Sequence, residues 1–461
     1  MDQRREPSHP LELRRPWRQY HPELHRLCRF VIPAGSSVLA LGPGMGELLA
    51  AVAPARGLGI DADAEAVAQA RERHPGLEFR TGDIERLELD ETFDFVVLSD
   101  VSLLADVQRC LSGLRRVTRP DSRLLVNSLN VVWWPVLRLA EILGLREIEP
   151  AYNWLGMDDI DNLLELAGFE VIQRKYRLLV PLWIPLVTWF FNAVMSQLPL
   201  FRHLTLINAL VARPPCPPRE RPPTVSVVVP ARNERGNIAG VIERTPAMGE
   251  WTEIVFVEGN SRDGTAEEIE AQIRAHPERR LRLVPQGAGI GKGDAVRRGF
   301  DAATGDLLVI LDADLTVAPE ELPKFVEAIT NGRGDFINGT RLVYPMEKQA
   351  MRFLNLVGNK FFSLCFTWLL DQRLKDTLCG TKVLRRTDYE RIKLNRMYFG
   401  DFDPFGDFDL LFGASKQNLK IVEIPIRYRD RTYGTTNISR FTHGWLLLQM
   451  CAFAYRKLKV V

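Results

Sequence analysis

Short runs of aliphatic and β-branched residues recur along the chain, each followed by a longer stretch in which apolar residues return every three or four positions. Ser37–Leu41 reads as a strand and Glu47–Val52 as the helix after it, and Gly57–Ile60, Phe95–Leu98 and Leu124–Val126 read as further strands. Later, Val225–Val229, Glu253–Val257 and Asp306–Leu311 read as strands, with helices beginning near Asn237 and Asp294. Strands alternating with helical segments predict parallel α/β layers in each half. The halves meet at residues 213–223, Arg-Pro-Pro-Cys-Pro-Pro-Arg-Glu-Arg-Pro-Pro. Proline has no N–H and a fixed φ, so an extended linker is expected there, and neither a helix nor a central strand.

Leu178–Phe201 contains no charged residue and meets the length test for a membrane span. Pro181, Pro185 and Pro199 interrupt it, and Asn192, Ser196 and Gln197 are polar, so a buried or interfacial hairpin is the expectation. The chain has 461 residues, too many for one ordinary domain, and its net charge of +2 excludes a large nucleic-acid surface. Cys28, Cys110, Cys216, Cys365, Cys379 and Cys451 are dispersed, with no C-x-x-C pair. Neither a zinc cage nor a disulfide framework fits them, and a reducing compartment is expected. No apolar core of a secretory leader follows Met1-Asp2-Gln3-Arg4-Arg5.

Chemistry concentrates after the strands. Leu307-Leu-Val-Ile-Leu311 ends in Asp312-Ala313-Asp314, so two carboxylates project near one strand tip. Hard oxygen donors suit Mg²⁺ or Mn²⁺, and a cation there would offset charge on a departing diphosphate. Pro230-Ala-Arg-Asn-Glu234 follows the first strand of this half, and Glu258-Gly-Asn-Ser-Arg-Asp-Gly-Thr265 the second. Both lie where open α/β sheets bind ligands. Gly287-Ala-Gly-Ile-Gly-Lys-Gly293 lacks the full phosphate-loop spacing and reads as a flexible loop bringing Lys292 toward a diphosphate. Gly406-Asp407-Phe408-Asp409 reads as extended, so its carboxylates point to opposite sides. One of them would face the site as base or added metal ligand.

These pieces, in this order over residues 224–440, resemble glycosyltransferase family 2, whose members have the GT-A α/β fold, and within it the polyprenyl- and dolichol-phosphate mannosyl- and glucosyltransferases. The resemblance implies nucleotide-sugar binding by Pro230, Ala231, Asn233, Glu234 and Glu258, with Asp312 and Asp314 on metal and diphosphate. Glu258-Gly259-Asn260-Ser261 departs from the family's Asp-Asp-Gly-Ser, which leaves GDP-sugar or UDP-sugar open. Gly339-Thr-Arg341, Asp376–Gly380, Glu423-Ile-Pro-Ile426 and Tyr428-x-x-Arg431-x-x-Gly434-x-Thr436 resemble downstream motifs, with Asn437 replacing a lysine. Arg341 and Arg431 would engage the acceptor phosphate as bidentate forks. The implied reaction is single displacement with inversion onto a polyprenyl phosphate; a glycan hydroxyl acceptor is the alternative and would need a base. Phe361–Leu370 and Gly444–Tyr455 are too short to span a bilayer. The second leads into Arg456-Lys-Leu-Lys459, so residues 441–461 read as an amphipathic, interfacial segment.

In the first half Val38-Leu-Ala-Leu precedes Gly42-Pro-Gly44-Met-Gly46, and Asp61 comes nineteen residues after Gly42. Glycines admit a ligand close to backbone, and an acid at that distance meets ribose hydroxyls. With Gly82-Asp83 and Phe93–Leu98, the order resembles class I S-adenosylmethionine-dependent methyltransferases over residues 20–212. The resemblance implies a Rossmann-like domain with Gly42, Gly44 and Gly46 on the methionine part, Asp61 on ribose and Asp83 by the adenine. Ala40 stands where the family motif has an acid, and a non-catalytic scaffold is the alternative. An NAD-binding domain is the rival fold. Asp100 is a candidate substrate contact. Together the halves imply a two-domain transferase acting on a lipid-linked or surface-glycan precursor, cytoplasmic and peripheral on the inner membrane face.

Overall fold

The computed structural model describes residues 19–144, 153–182, 184–341, 343, 353–399, 408–429, 431, 433 and 440–460. The chain divides into two compact units, one running up to Cys216 and the other Pro217–Leu458. Each is built on a seven-stranded sheet.

In the N-terminal unit the strands are β1 (Ser37–Leu41), β2 (Arg56–Asp61), β3 (Glu78–Thr81), β4 (Phe93–Leu98), β5 (Thr118–Leu129), β6 (Glu170–Arg177) and β7 (Ile207–Arg213). Their order is β3-β2-β1-β4-β5-β7-β6. β1 to β5 run parallel, whereas β7 is antiparallel to both β5 and β6. The parallel reading holds for β1 to β5 and not for β7, because an apolar run does not record its direction. That inserted antiparallel strand also departs from the 3-2-1-4-5-6 order of dinucleotide-binding sheets, which argues against the NAD rival. β7 corrects the linker boundary as well. Arg213 ends this central strand, fully buried, with Nη2 2.9 Å from Glu170 Oε2 on β6. The neighbouring carboxylate makes burial of the guanidinium tolerable, and the proline-rich stretch begins only at Pro214.

Leu178–Phe201 lies in the connection from β6 to β7, closed by Leu206 N–H donating to the Leu178 carbonyl at 2.8 Å. Its polar residues fold it on itself. Asn192 accepts from Val180 N–H at 2.7 Å and donates to the Val180 carbonyl at 2.9 Å, and Thr188 Oγ1 accepts from Ile184 N–H. The α-helix within it, Val187–Ala193, has seven residues. No described helix is long and apolar enough to cross a membrane.

The C-terminal unit comprises β8 (Val225–Ala231), β9 (Thr252–Glu258), β10 (Arg280–Pro285), β11 (Leu307–Ile310), β12 (Phe336–Thr340), β13 (Lys382–Arg385) and β14 (Ile421–Pro425), in the order β10-β9-β8-β11-β13-β12-β14. β13 is antiparallel to both its neighbours, β11 and β12, and the other pairings are parallel. Val225, Val227, Val228 and Val229 are fully buried, as a central strand covered on both faces requires. The helix Gly291–Ala302 lies directly on β8 because Gly299 has no side chain. A Cβ there would stand 2.2 Å from Val228 Cγ1. That close seating brings the start of the helix, and Lys292 with it, to the carboxyl end of the sheet.

Phe256 is fully buried in the core around β8, β9 and β11. Phe256→Ala should cost about 3–5 kcal/mol, read as a lower urea midpoint for the C-terminal unit, with the unfolding of the N-terminal unit unchanged.

Candidate active site

At the tip of β11, Asp312 and Asp314 each meet a cation. Lys292 Nζ lies 2.7 Å from Asp312 Oδ1. Arg431 Nη2 donates to Asp314 Oδ2 at 2.6 Å, and its Nη1 lies 3.8 Å from Glu234 Oε1. Asp314 Oδ1 accepts from the backbone N–H and hydroxyl of Thr316 at 3.1 and 2.7 Å. Burial alone would raise the Asp312 carboxyl, but the Lys292 ammonium, backed by Lys382 and Arg341, outweighs it and holds the group below its ordinary value. Gly380 closes this corner: a Cβ there would lie 2.1 Å from Asp312 Oδ2 and 2.6 Å from Lys292 Nζ. Arg431 is brought in by an antiparallel bridge of Tyr428 to Val317 and by Arg429 N–H donating to the Thr316 carbonyl at 2.9 Å. The donor type, carboxylate oxygen, suits a hard divalent cation, although each carboxylate is paired here with a protein cation. Among the described residues no group of three or more His, Cys, Asp or Glu gathers as a cage.

The loops after β8 and β9 are laced together. Asn233 N–H donates to Ser261 Oγ at 3.0 Å, and Arg262 N–H donates to Asn233 Oδ1 at 2.8 Å. Both Asn233 and Asn260 sit at φ +57°, a left-handed conformation that asparagine tolerates. Asn260 Nδ2 reaches the Gly287 carbonyl at 2.8 Å, tying the unusual Glu258-Gly-Asn-Ser segment to the glycine-rich loop. Pro230 and Ala231 close β8, and Glu258 Oε1 accepts from Ser261 N–H. Glu234 is buried, accepting from Asn237 Nδ2 at 2.6 Å, and burial raises its carboxyl above the usual value.

Arg341 stands in a different environment from Arg431. Its Nε and Nη2 donate to the two oxygens of buried Asp376 at 2.7 and 2.8 Å, and its guanidinium lies over the Tyr428 ring. The fork proposed for an acceptor phosphate is thus spent on a carboxylate inside the fold. Asp409 corrects the extended reading of its segment: Phe408–Lys416 is a helix, and Asp409 lies in its first turn. Asp409 Oδ2 is 3.2 Å from Arg297 Nη1 and 3.9 Å from Arg396 Nε, so two guanidiniums hold it. Asp407, Gly434, Thr436 and Asn437 lie outside the described residues.

In the N-terminal unit Gly42, Gly44 and Gly46 have φ of +67°, +56° and +87°, forming the turn from β1 into the next helix. Gly44 N–H donates to Asp61 Oδ2 at 2.9 Å, and Asp63 N–H to Oδ1 at 3.0 Å. Asp61 therefore fixes the turn, while each oxygen retains a second lone pair for a hydroxyl. The Ser99 Oγ atom is buried with no hydrogen-bond partner, and the Ser99 carbonyl oxygen would stand 3.5 Å from a Cβ on Gly42. A glycine turn at the strand end, an anchored acid and an orphaned hydroxyl fit the adenosyl cofactor. Asp83 is exposed and accepts from Glu85 N–H. Asp100 is buried at φ +48° and accepts from Ser102 Oγ at 2.7 Å.

The sequence assigned no part to Thr316 or Lys382, and it named Gly380 and Asn260 only within longer motifs. Thr316 had a local signal, being placed two residues after Asp314 as in a side-chain turn. Gly380 acquires its role only by lying against Asp312 across the sheet.

Arg341→Met would leave Asp376 buried without its partner and should cost about 3–5 kcal/mol in urea unfolding. Burial would raise the Asp376 carboxyl, but Arg341 holds it below its usual value. In the unaltered protein the pair's stabilisation is therefore full above about pH 4 and lost as pH falls through the folded value. The variant should lose that pH dependence.

Residues 226–392 match the family described as glycosyl transferase family 2, and residues 39–126 match a methyltransferase domain. A dolichol-phosphate mannosyltransferase of Pyrococcus furiosus is 30% identical over 51% of this chain and 64% of its own length. A polyprenol monophosphomannose synthase of Mycolicibacterium smegmatis is 28% identical over 46% of this chain and 80% of its own. A solved S-adenosylmethionine-dependent methyltransferase from Mesorhizobium loti aligns with 41% of this chain and 96% of its own, at 16% identity and a TM-score of 0.32. The chain thus spans less than two thirds of the Pyrococcus relative, and it carries an N-terminal methyltransferase domain followed by a C-terminal glycosyl transferase family 2 domain.

Proposed function

We propose that the C-terminal unit transfers a sugar from a GDP- or UDP-sugar to a polyprenyl phosphate, with inversion at the anomeric carbon. The single observation that supports this most is the meeting of Asp312 and Asp314 with Lys292 from the glycine-rich loop and Arg431 from the downstream segment. A bound Mg²⁺ or Mn²⁺, held by Asp312 and Asp314, would neutralise charge on the departing diphosphate. Pro230, Ala231, Asn233 and Glu258 border the nucleoside side, with Glu234 positioning the turn through Asn237. Lys292 stands next to the diphosphate, and Arg431 orients the acceptor phosphate. Arg341 serves from behind, keeping the Asp376–Gly380 segment against the carboxylates. A phosphate monoester is already mostly dianionic at neutral pH, its second pKa being about 6. One of its oxygens can attack the anomeric carbon with no proton to remove, which agrees with Asp409 being held by arginines.

A lipid acceptor also accords with the surface. The helices Phe353–Leu370 and Arg440–Leu458 pack together through stacked Trp368 and Tyr455, and expose Phe361, Leu364, Trp445 and Leu448. Arg456 and Lys457 lie in the last turn of the second, suited to an anionic inner leaflet. Peripheral contact on the cytoplasmic face is the proposed location. In the N-terminal unit, methyl transfer from S-adenosylmethionine is the proposed activity, with Gly42, Gly44, Gly46 and Asp61 holding the cofactor and Asp83 near its adenine.

With labelled nucleotide sugar and polyprenyl phosphate, label should enter butanol-extractable lipid, and Asp312→Ala should slow this by roughly a hundredfold or more. Label confined to water-soluble product would refute the acceptor. By calorimetry S-adenosylmethionine should bind the intact chain. Gly46→Val should abolish binding, since even a Cβ there would stand 2.6 Å from the Phe79 ring; no heat at millimolar cofactor would leave only the scaffold.

A further inference from the structure

The two carboxylates are not open to a metal ion as they stand. Asp312 offers Oδ1 to Lys292 Nζ at 2.7 Å, while its Oδ2 faces the Gly380 backbone so closely that no Cβ would fit between. Asp314 commits Oδ1 to Thr316, and its Oδ2 is met by Arg431 Nη2 at 2.6 Å. A divalent cation approaching either residue therefore meets positive charge on the oxygen it needs. The two blocking groups come from different places. Lys292 follows a loop whose Gly287 and Gly291 sit at φ +61° and +85°, with nothing within 4 Å of where a Cβ would stand on either. Arg431 extends from the bridge between Tyr428 and Val317. One arises where the donor diphosphate is proposed to lie and the other where the acceptor phosphate is.

We propose that Lys292 and Arg431 are resident counter-cations of the metal site, competing with the divalent ion for Asp312 and Asp314, Lys292 leaving for the donor diphosphate and Arg431 for the acceptor phosphate as metal and substrates arrive. This rests on the metal role assigned to the two aspartates above, and adds an order of events. The nucleotide-free protein holds the metal weakly, and a diphosphate strengthens metal binding partly by giving displaced Lys292 a new partner. By linkage the metal strengthens diphosphate binding by the same factor. Lys292 and Arg431 are then positioning residues whose charge opposes the metal in one state and assists the phosphates in the next. Removing either charge should have opposite effects on metal affinity and on transfer rate. A purely structural role would weaken both.

The test is Mn²⁺ binding to the full chain, followed by the free-ion paramagnetic resonance signal with and without UDP or GDP. Without nucleotide, Lys292→Met and Arg431→Met should bind Mn²⁺ roughly two- to fivefold more tightly than the parent, the range for losing one partly screened competing charge. For Lys292→Met, whose displaced cation the diphosphate would receive, the gain in affinity on adding UDP or GDP should be correspondingly smaller, and sugar transfer should fall in both variants. Lys292→Arg, which keeps the charge, should retain the parent's weak binding, and unchanged thermal unfolding would show that each variant folds. Nucleotide-free affinity that is unchanged or weaker in both methionine variants overturns the proposal. Mn²⁺ shifts as expected without any sugar transfer would refute the reaction and leave the counter-cation role standing. No Mn²⁺ uptake by the parent at any UDP or GDP concentration would refute the metal role and this inference together.

Discussion

Two carboxylates two residues apart at the end of a buried strand repel each other and resist burial, so the surrounding structure has to supply positive charge. Much of the C-terminal unit's architecture can be derived from that requirement. The glycine at position 299 lets one helix settle on β8 closely enough for Lys292 to reach Asp312. The bridge between Tyr428 and Val317 runs a distant segment alongside β11's exit, so that Arg431 arrives at Asp314. Behind them Lys382 and Arg341 add positive field and help keep Asp312 ionised against its partial burial. In the protein by itself the charges of this corner are thus matched within the fold, each carboxylate by a cation from another segment.

The same site shows how one residue type divides its labour by environment. Arg341 and Arg431 are both arginines in motifs expected to hold phosphate. Arg341 is locked on a fully buried aspartate by two hydrogen bonds, a fixed part of the fold. Arg431 is less buried and forms its short contact with a carboxylate that also suits a metal. A guanidinium paired with Asp376 inside the protein would leave a buried charge uncompensated if it moved, whereas one paired with Asp314 can change partners as ligands come and go. Exposure and the nature of the partner, rather than sequence motif, separate the structural arginine from the one suited to substrate.

The N-terminal unit solves a different problem with backbone. Three glycines in left-handed conformations turn the chain at the end of β1, and Asp61 at the end of β2 ties that turn down through Gly44. The turn is thereby held by a side chain of the protein itself. Ala40, where an acid was expected, is fully buried within β1, so an ionised side chain there would have needed a partner that the apolar strand does not provide.

What the sequence determined by itself was local. Runs such as Val225–Val229 and Leu307–Leu311 announce buried strands because β-branched and aliphatic side chains at that density can be covered only in a sheet interior. The glycine turn, the Asp-Ala-Asp tip and the proline-rich stretch after Arg213 were legible for the same reason, each being a short-range constraint on the chain. Strand direction was not legible, since an apolar pattern reads the same both ways, and β7 and β13 run against their neighbours. Nor were the partners of charged residues. Lys292 and Asp312 are twenty positions apart, and Arg431 and Asp314 are 117 apart. Only the folded sheet decides which cation meets which carboxylate, because long-range charge pairing follows from where strand ends and loops converge, a property of the tertiary structure and of no single segment.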